Sequence, residues 1–210
     1  MAAMQDFASL PQDFALRLVC IRHGEPDPAA KGRCYGRLDL GLSEAGRAQI
    51  QSRVEAIRNL KADALYSSPA RRARESAEII RALTGLEPIF KAELQEIDFG
   101  SFEGLTYQEI ERLYPEAYRL WMERPTEITF PQGESFAGMK ARVLQFKRSL
   151  STDHFGKTVI AVSHGGVNRI LLADALAIPD PMIFRIDQNY AAINVIDYLP
   201  ESPIVRLVNG

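Results

Sequence analysis

Leu18-Val-Cys-Ile-Arg22-His23-Gly24-Glu25 places an arginine and a histidine where an apolar strand ends and a glycine turn begins. Open α/β sheets bind their ligands there, outside the carboxyl ends of the strands. A second stretch repeats the arrangement: Thr158-Val-Ile-Ala-Val162 reads as another buried strand and runs into Ser163-His164-Gly165-Gly166. The chain has 3 histidines, and two of them stand at strand exits. In a parallel sheet both exits open on one edge, so His23 and His164 are expected to converge despite their separation. An arginine beside a convergent histidine pair points to an anion site.

Length and composition set the frame. A chain of 210 residues suits one well-buried α/β domain spanning 1–210 and is short for two. With 46% hydrophobic and 25% charged residues, neither a disordered chain nor a coiled coil is expected. The net charge of -2 gives no general attraction to nucleic acid or an anionic membrane, so anion binding must be local. Residues 1–15 read as an N-terminal extension with neither a basic start nor an apolar run of signal-peptide length. Cys20 and Cys34 are too few for a disulfide framework, and a cytoplasmic location is expected. Cys34 reads as a small side chain rather than a reactive thiol.

Along the chain, strands and helices alternate. Leu16 to Ile21 is the first strand, and Glu25 to Gly41, with its prolines and glycines, is a loop. Ser43 caps a helix whose Ile50, Val54 and Ile57 share a face. Ala62 to Tyr66 is a second strand. Ser68 as N-cap and Pro69 at the first helical position then start a helix that buries Ala70, Ala73, Ala77 and Ile80, leaving Arg71, Arg72 and Arg74 off that stripe. A third strand, Glu87 to Lys91, leads into a structured loop from Leu94 to Gly104. Short helices broken by Pro115 and Pro125 make 106–131 an insertion over one end of the sheet. A helix from Ser135 to Leu150, a helix from Val167 to Ala177, and late strands at Ala192–Tyr198 and Ile204–Val208 complete the pattern. The expected fold is a three-layer α/β/α domain with a mostly parallel central sheet.

Polar residues follow four strand exits: Arg22 and His23, then Arg71 and Arg72, then Glu96, then His164. Arginine suits phosphate because its planar guanidinium makes paired charge-assisted hydrogen bonds, and a helix start near Pro69 would add partial positive charge. A neutral imidazole is a competent nucleophile toward phosphorus. Flanking arginines disfavour imidazolium and keep the ring reactive. His154, between a helix and a strand, reads as structural. No clustered ligand spacing calls for a metal, and no cofactor is expected.

These stretches also resemble a known family. Leu18 to Glu25, Cys34-Tyr35-Gly36-Arg37-Leu38-Asp39 and Leu42-Ser43-Glu44-Ala45-Gly46 are similar to the opening of the histidine phosphatase (phosphoglycerate mutase-like) superfamily. Ser67-Ser68-Pro69-Ala70-Arg71-Arg72-Ala73, Leu94-Gln95-Glu96-Ile97-Asp98-Phe99-Gly100, Glu103-Gly104-Leu105-Thr106, Gly133-Glu134-Ser135 and Ser163-His164-Gly165-Gly166 resemble its later motifs in order. The resemblance implies a phosphohistidine mechanism. His23 would take the phosphoryl group and water would remove it, with Arg22, Arg72, His164 and Gly165 around the phosphate and Glu96 as the acid for the leaving oxygen. It selects Arg72 over Arg71, a choice the residues alone leave open. Where the family often has Asn, this chain has Ala29, and Arg33 and Tyr35 are candidate substitutes in substrate binding. Glu25, Glu103 and Glu134 are expected to be structural hydrogen-bonding groups. The Cys34-Tyr35-Gly36 loop resembles α-ribazole phosphatases, whereas Tyr114-Pro115-Glu116 and Pro131-Gln-Gly-Glu-Ser135 resemble fructose-2,6-bisphosphatase domains. The implied activity is hydrolysis of a small phosphorylated metabolite. Phosphoglycerate mutase-type transfer is the alternative, and a non-catalytic phosphate-binding regulator is a third.

Overall fold

The β1 sequence Leu-Arg-Leu-Val-Cys-Ile-Arg alternates its side chains between two hydrophobic layers, and the rest of the fold assembles on those two faces. In the computed structural model, which describes residues 15–57 and 60–210, β1 is Leu16–Arg22. The other strands are β2 (Ala64–Ser67), β3 (Pro88–Phe90), β4 (Lys157–Ser163), β5 (Ile193–Tyr198) and β6 (Pro203–Leu207). The helices are α1 (Glu44–Ile57), α2 (Arg71–Thr84), α3 (Tyr107–Leu113), α4 (Pro115–Glu123), α5 (Phe136–Asp153) and α6 (Gly165–Ala175). Apart from Ala15, the expected N-terminal extension lies outside the described residues.

Leu16, Leu18 and Cys20 pack with Met139, Val143 and Phe146 of α5 and Ile170 of α6. On the opposite face Val19 and Ile21 pack with Ile50 and Val54 of α1 and Ala77 and Ile80 of α2. Each large aliphatic or aromatic side chain so buried contributes about 1.5–3 kcal/mol, enough to fix which face each helix covers. The result is a three-layer α/β/α fold around one sheet of order β3-β2-β4-β1-β5-β6. The first four strands run parallel. β5 and β6 are antiparallel, since only residues 199–202 join them and no crossover helix intervenes. Among the described residues no helix is long and apolar enough to cross a membrane.

Three local expectations are corrected. Helix α2 begins at Arg71, not Pro69, and its N-cap Ala70 has no side-chain cap. Ser68 Oγ bonds His164 at 2.8 Å and accepts the Ala70 N–H only at 3.3 Å, and the Arg71 N–H is taken by Asp39 Oδ1 at 2.8 Å. Helix α6 starts at Gly165, earlier than Val167. Arg72 lies off the apolar stripe as expected and is nonetheless fully buried, because Arg72 and Ser76, one turn apart, form a second buried row facing the ligand edge. Ser43 does cap α1, accepting the Gly46 N–H at 2.9 Å.

A buried ion pair joins two strands of the sheet: Arg17 pairs with Asp197 across β1 and β5, at 2.6 and 2.8 Å, with Arg206 adding a third contact at 2.9 Å. Burial alone would raise the Asp197 carboxyl, but hydrogen bonds from Arg17 and Arg206 outweigh it and hold it below its usual value. A carboxyl depressed in the folded state stabilises fully above its unfolded value, roughly 3.9, and that contribution is lost as pH falls through the folded value. Asp197→Asn should therefore cost about 3–5 kcal/mol in urea unfolding at pH 7 by removing the buried carboxylate that Arg17 and Arg206 share, and the gap to the parent should narrow below about pH 4.

Candidate active site

The β1–β4 register aligns Arg22 with Ser163, so the residues that follow, His23 and His164, emerge side by side. Their ring centroids are 5.1 Å apart and both rings are buried. Neighbouring β2 delivers Ser68, whose N–H bonds Val162 O at 2.9 Å. Gly24 lies against Gly46 so closely that a Cβ would fall 2.2 Å from its carbonyl oxygen, so the turn after His23 tolerates only glycine.

Hydrogen bonds fix the tautomer of each imidazole. His23 Nδ1 lies 2.7 Å from Gly24 O, which only accepts, so Nδ1 carries the proton and Nε2 presents a lone pair. Arg72 Nε points at that Nε2 from 3.3 Å. Arg72 Nη2 points at His164 Nδ1 from 3.3 Å, so that nitrogen accepts and Nε2–H donates to Ser68 Oγ. One guanidinium thus spans both rings. Burial, followed by the charges of Arg72 and Arg22, holds the His23 imidazole well below its ordinary value; burial, Arg72 and His23 do the same to His164. The rings are neutral, as the sequence led one to expect, though burial outranks the arginines as the cause.

Arg72 is itself held by neutral acceptors, Gly36 O at 2.8 Å and Leu38 O at 2.9 Å. That loop is fastened by Glu103, whose carboxylate accepts the N–H groups of Gly36, Arg37, Leu38 and Phe99. Arg22 donates to Gln188 O at 2.6 Å and lies 4.2 Å over the Tyr190 ring, while its buried Nε has no partner. A Cβ on Gly165 would stand 3.0 Å from Arg169 Nη1 and 3.5 Å from Arg22 Nε, so glycine lets two guanidinium groups approach the α6 N-terminus.

Glu96 reaches the same edge, with Oε2 accepting the Gly166 N–H at 3.1 Å and Oε1 its neighbour Ile97 N–H at 3.0 Å. Its loop is pinned by Arg142, which donates to Glu93 O, Gln95 O and Glu96 O and pairs with both oxygens of Glu134. Glu25 accepts from Ser43 Oγ at 3.2 Å. Glu25, Glu103 and Glu134 thus serve as hydrogen-bonding supports.

The structure brings Arg22, His23, Arg72, Glu96, His164 and Gly165 to one edge. Tyr35 joins them, with Arg72 5.3 Å from its ring and its hydroxyl 2.7 Å from that of Tyr190. Arg33 is exposed, donates to Gly104 O at 2.7 Å, and lines an adjoining pocket together with Tyr35 and Tyr190. Ala29 is also exposed, in a short turn where its N–H meets Asp27 Oδ1. Sequence reasoning missed Tyr190, Arg169 and Gln188. Tyr190 and Gln188 sit in an irregular loop without a local signal, but Arg169, one turn beyond Gly165 on α6, was findable. Both cysteines are free and buried; burial pushes the Cys20 thiol up to about 12 and raises Cys34 as well, which leaves both unreactive.

Two neutral imidazoles around a buried guanidinium, with further arginines and a carboxylate at the rim, make a site for a phosphoryl group. The chain matches the histidine phosphatase superfamily (branch 1) over residues 18–210 and belongs to that family; it is a phosphoric monoester hydrolase. Phosphoserine phosphatase 1 of Hydrogenobacter thermophilus is 35% identical over 149 residues, 71% of either chain. Phosphoglycerate mutase-like protein 4 of Arabidopsis thaliana is 36% identical over 168 residues, covering 79% of this chain and 73% of that one. Among solved structures, the α-ribazole phosphatase of Shigella flexneri superposes with a TM-score of 0.84 at 26% identity, covering 92% of this chain and 96% of that one.

A Cβ on Gly166 would fall 2.4 Å from Glu96 Oε1 and 3.0 Å from Met139 Cε. The easiest relief is to move the carboxylate. Alanine also favours helix over glycine by up to about 1 kcal/mol. Gly166→Ala is thus expected to leave thermal stability within roughly 1 kcal/mol while lowering turnover of an alkyl phosphate at least about tenfold; unchanged turnover would mean that Glu96 placement is unimportant.

Proposed function

We propose that this enzyme is a metal-independent phosphomonoesterase acting on a small phosphorylated metabolite through a phosphohistidine on His23. The observation that carries the reading is the His23 tautomer: its Nδ1–H is tied to Gly24 O, and its Nε2 lone pair faces the pocket beside Arg72. Nε2 attacks phosphorus as the ester P–O bond breaks. Arg22, Arg72, His164 and Gly165 surround the phosphoryl oxygens, and Glu96 gives its proton to the departing oxygen. Water, deprotonated by the same carboxylate, then displaces His23 and yields inorganic phosphate. The cations take the developing charge, the part a metal plays in other phosphatases.

One catalytic domain spans 1–210 in this reading, with 106–131 covering the leaving-group side. The names of two of these relatives, a phosphoserine phosphatase and an α-ribazole phosphatase, support hydrolysis of a phosphate ester rather than storage of the phosphoenzyme for transfer. Two buried free thiols suit the cytoplasm.

Rapid quenching with labelled substrate should trap an acid-labile, base-stable phosphoenzyme that His23→Ala abolishes. The label should form equally after exhaustive EDTA treatment. Because the imidazole lies well below 6.5, its rate of formation should hold down to at least pH 6. Label persisting in the alanine variant, or lost to EDTA and restored by magnesium or zinc, would refute the mechanism.

The acid role of Glu96 is tested through the leaving group. A positioned acid contributes roughly 10²- to 10⁴-fold, but an alkoxide needs the proton far more than nitrophenolate does. Single-turnover kinetics should therefore find Glu96→Gln slowed much more on an alkyl phosphate than on p-nitrophenyl phosphate, whereas equal losses would exclude the role.

A further inference from the structure

The in-line geometry of the proposed transfer decides where the rest of the substrate lies. The ester oxygen must depart on the side of its proton donor, and Glu96 lines a pocket of ≈ 160 Å³ together with Phe99, Trp121, Phe130, Phe184 and Arg169. The larger neighbouring pocket, bordered by Glu25, Tyr35 and Tyr190, does not include Glu96 and is unsuited to the leaving group.

The pocket's walls are aromatic and their mutual packing is fixed. Phe99 and Phe130 meet edge to face at 4.8 Å, and Trp121 stands 5.5 Å from the first and 5.4 Å from the second. Tyr107 stacks on the other side of the indole at 5.5 Å and 13°, so α3 holds the α4 tryptophan in place. A cavity of roughly 150 Å³ lined by apolar side chains accommodates benzene. The volume here therefore admits an aromatic ring, and a short polar group such as the side chain of phosphoserine would leave the aromatic walls unsatisfied.

A single cation breaks the apolar lining. Arg169 is anchored by one hydrogen bond, Nε to Ile186 O at 2.8 Å, and its guanidinium carbon lies 5.8 Å from the Phe184 ring. It forms no ion pair among the described residues; half-buried, it lines this pocket while its Nη1 lies near Gly165, at the border with the phosphoryl site. Arginine so placed is a fork for a carboxylate.

Building on the phosphomonoesterase reading, we infer that the leaving group is an aromatic alcohol bearing a carboxylate: the ring sits among Phe99, Trp121 and Phe130, and the carboxylate pairs with Arg169. The reaction is the same ester hydrolysis. The phosphoryl group passes to His23, and the ester oxygen takes the Glu96 proton and leaves as the alcohol.

Three alkyl phosphates with similarly basic leaving oxygens separate the two contributions: butyl phosphate, 2-phenylethyl phosphate, and the better of its 3- and 4-carboxy derivatives. In the unmodified enzyme, kcat/KM should rise at least about tenfold from butyl to phenylethyl and about tenfold again with the carboxylate. Trp121→Leu should collapse the first ratio and Arg169→Met the second. Each ratio is taken within one protein, so partial loss of folded enzyme cancels. Equal kcat/KM for butyl and phenylethyl phosphates, or a carboxylate ratio that Arg169→Met leaves unmoved, would overturn the inference. The latter would mean that Arg169 acts on the phosphoryl group or on Glu96. Flat ratios with a normal phosphoenzyme would sink this inference alone, whereas no phosphoenzyme from any of the three would sink the phosphatase reading with it.

Discussion

A guanidinium buried without a carboxylate partner is the constraint on which the site depends. Arg72 is fully buried, yet its hydrogen bonds end on two carbonyls and two imidazole nitrogens, all neutral. Desolvating such a charge costs several kcal/mol even after relaxation, and carbonyl dipoles offset only part of that. The pocket is therefore short of one anion, and a phosphoryl group supplies it. The same charge adds to burial in keeping both histidines neutral. Adding a carboxylate beside Arg72 would relieve the cost but would repel the phosphoryl group and favour imidazolium.

Holding an unneutralised charge still requires a rigid frame, and the chain builds one in layers. Glu103 gathers the N–H groups of residues 36–38, which turns their carbonyls onto Arg72. Gln188 pairs with Asn194 on β5 through two hydrogen bonds of 2.8 Å and accepts from Asn168 on α6, so the carbonyl that receives Arg22 is fixed from both layers. Arg142 and Glu134 do the same for the Glu96 loop. Each support is a polar group satisfied on all sides, which is how buried networks become specific rather than merely costly.

Much of this was legible in the sequence because strand exits are legible. Apolar runs ending in Arg-His-Gly and Ser-His-Gly marked both imidazoles, and periodicity found α1, α2 and α5. What failed is equally physical. Capping rules assigned Ser68 to a helix start, but tertiary structure gave its shorter hydrogen bond to His164 and left the Ala70 N–H a longer one. Hydrophobic periodicity treats arginine as a surface residue and so placed Arg72 outside the core; nothing local distinguishes it from exposed Arg71, and only the resemblance chose between them. Tyr190 depends on a loop whose path is set by β5 and α6 together. Arg33 and Tyr35, candidates by type, line one pocket, where a hydrogen bond to Gly104 O holds the arginine.

Two neutral histidines beside one guanidinium pose a question of choice, because each presents a bare nitrogen to Arg72 from 3.3 Å. Steric access separates them. The free nitrogen of His23 is Nε2, flanked by two ring C–H groups, whereas that of His164 is Nδ1, whose neighbouring ring carbon carries the Cβ and the backbone beyond it. Phosphorus approaching in line meets less obstruction at Nε2. His164 is also committed through Nε2–H to Ser68, and a phosphoryl group on its Nδ1 would crowd its own main chain at the α6 N-cap. The Gly24 carbonyl therefore does more than orient a ring: by claiming the Nδ1 proton of His23 it exposes the less hindered nitrogen, and the Ser68 hydroxyl, by claiming the other ring's Nε2 proton, leaves His164 only the hindered Nδ1, which is poorly placed to attack phosphorus.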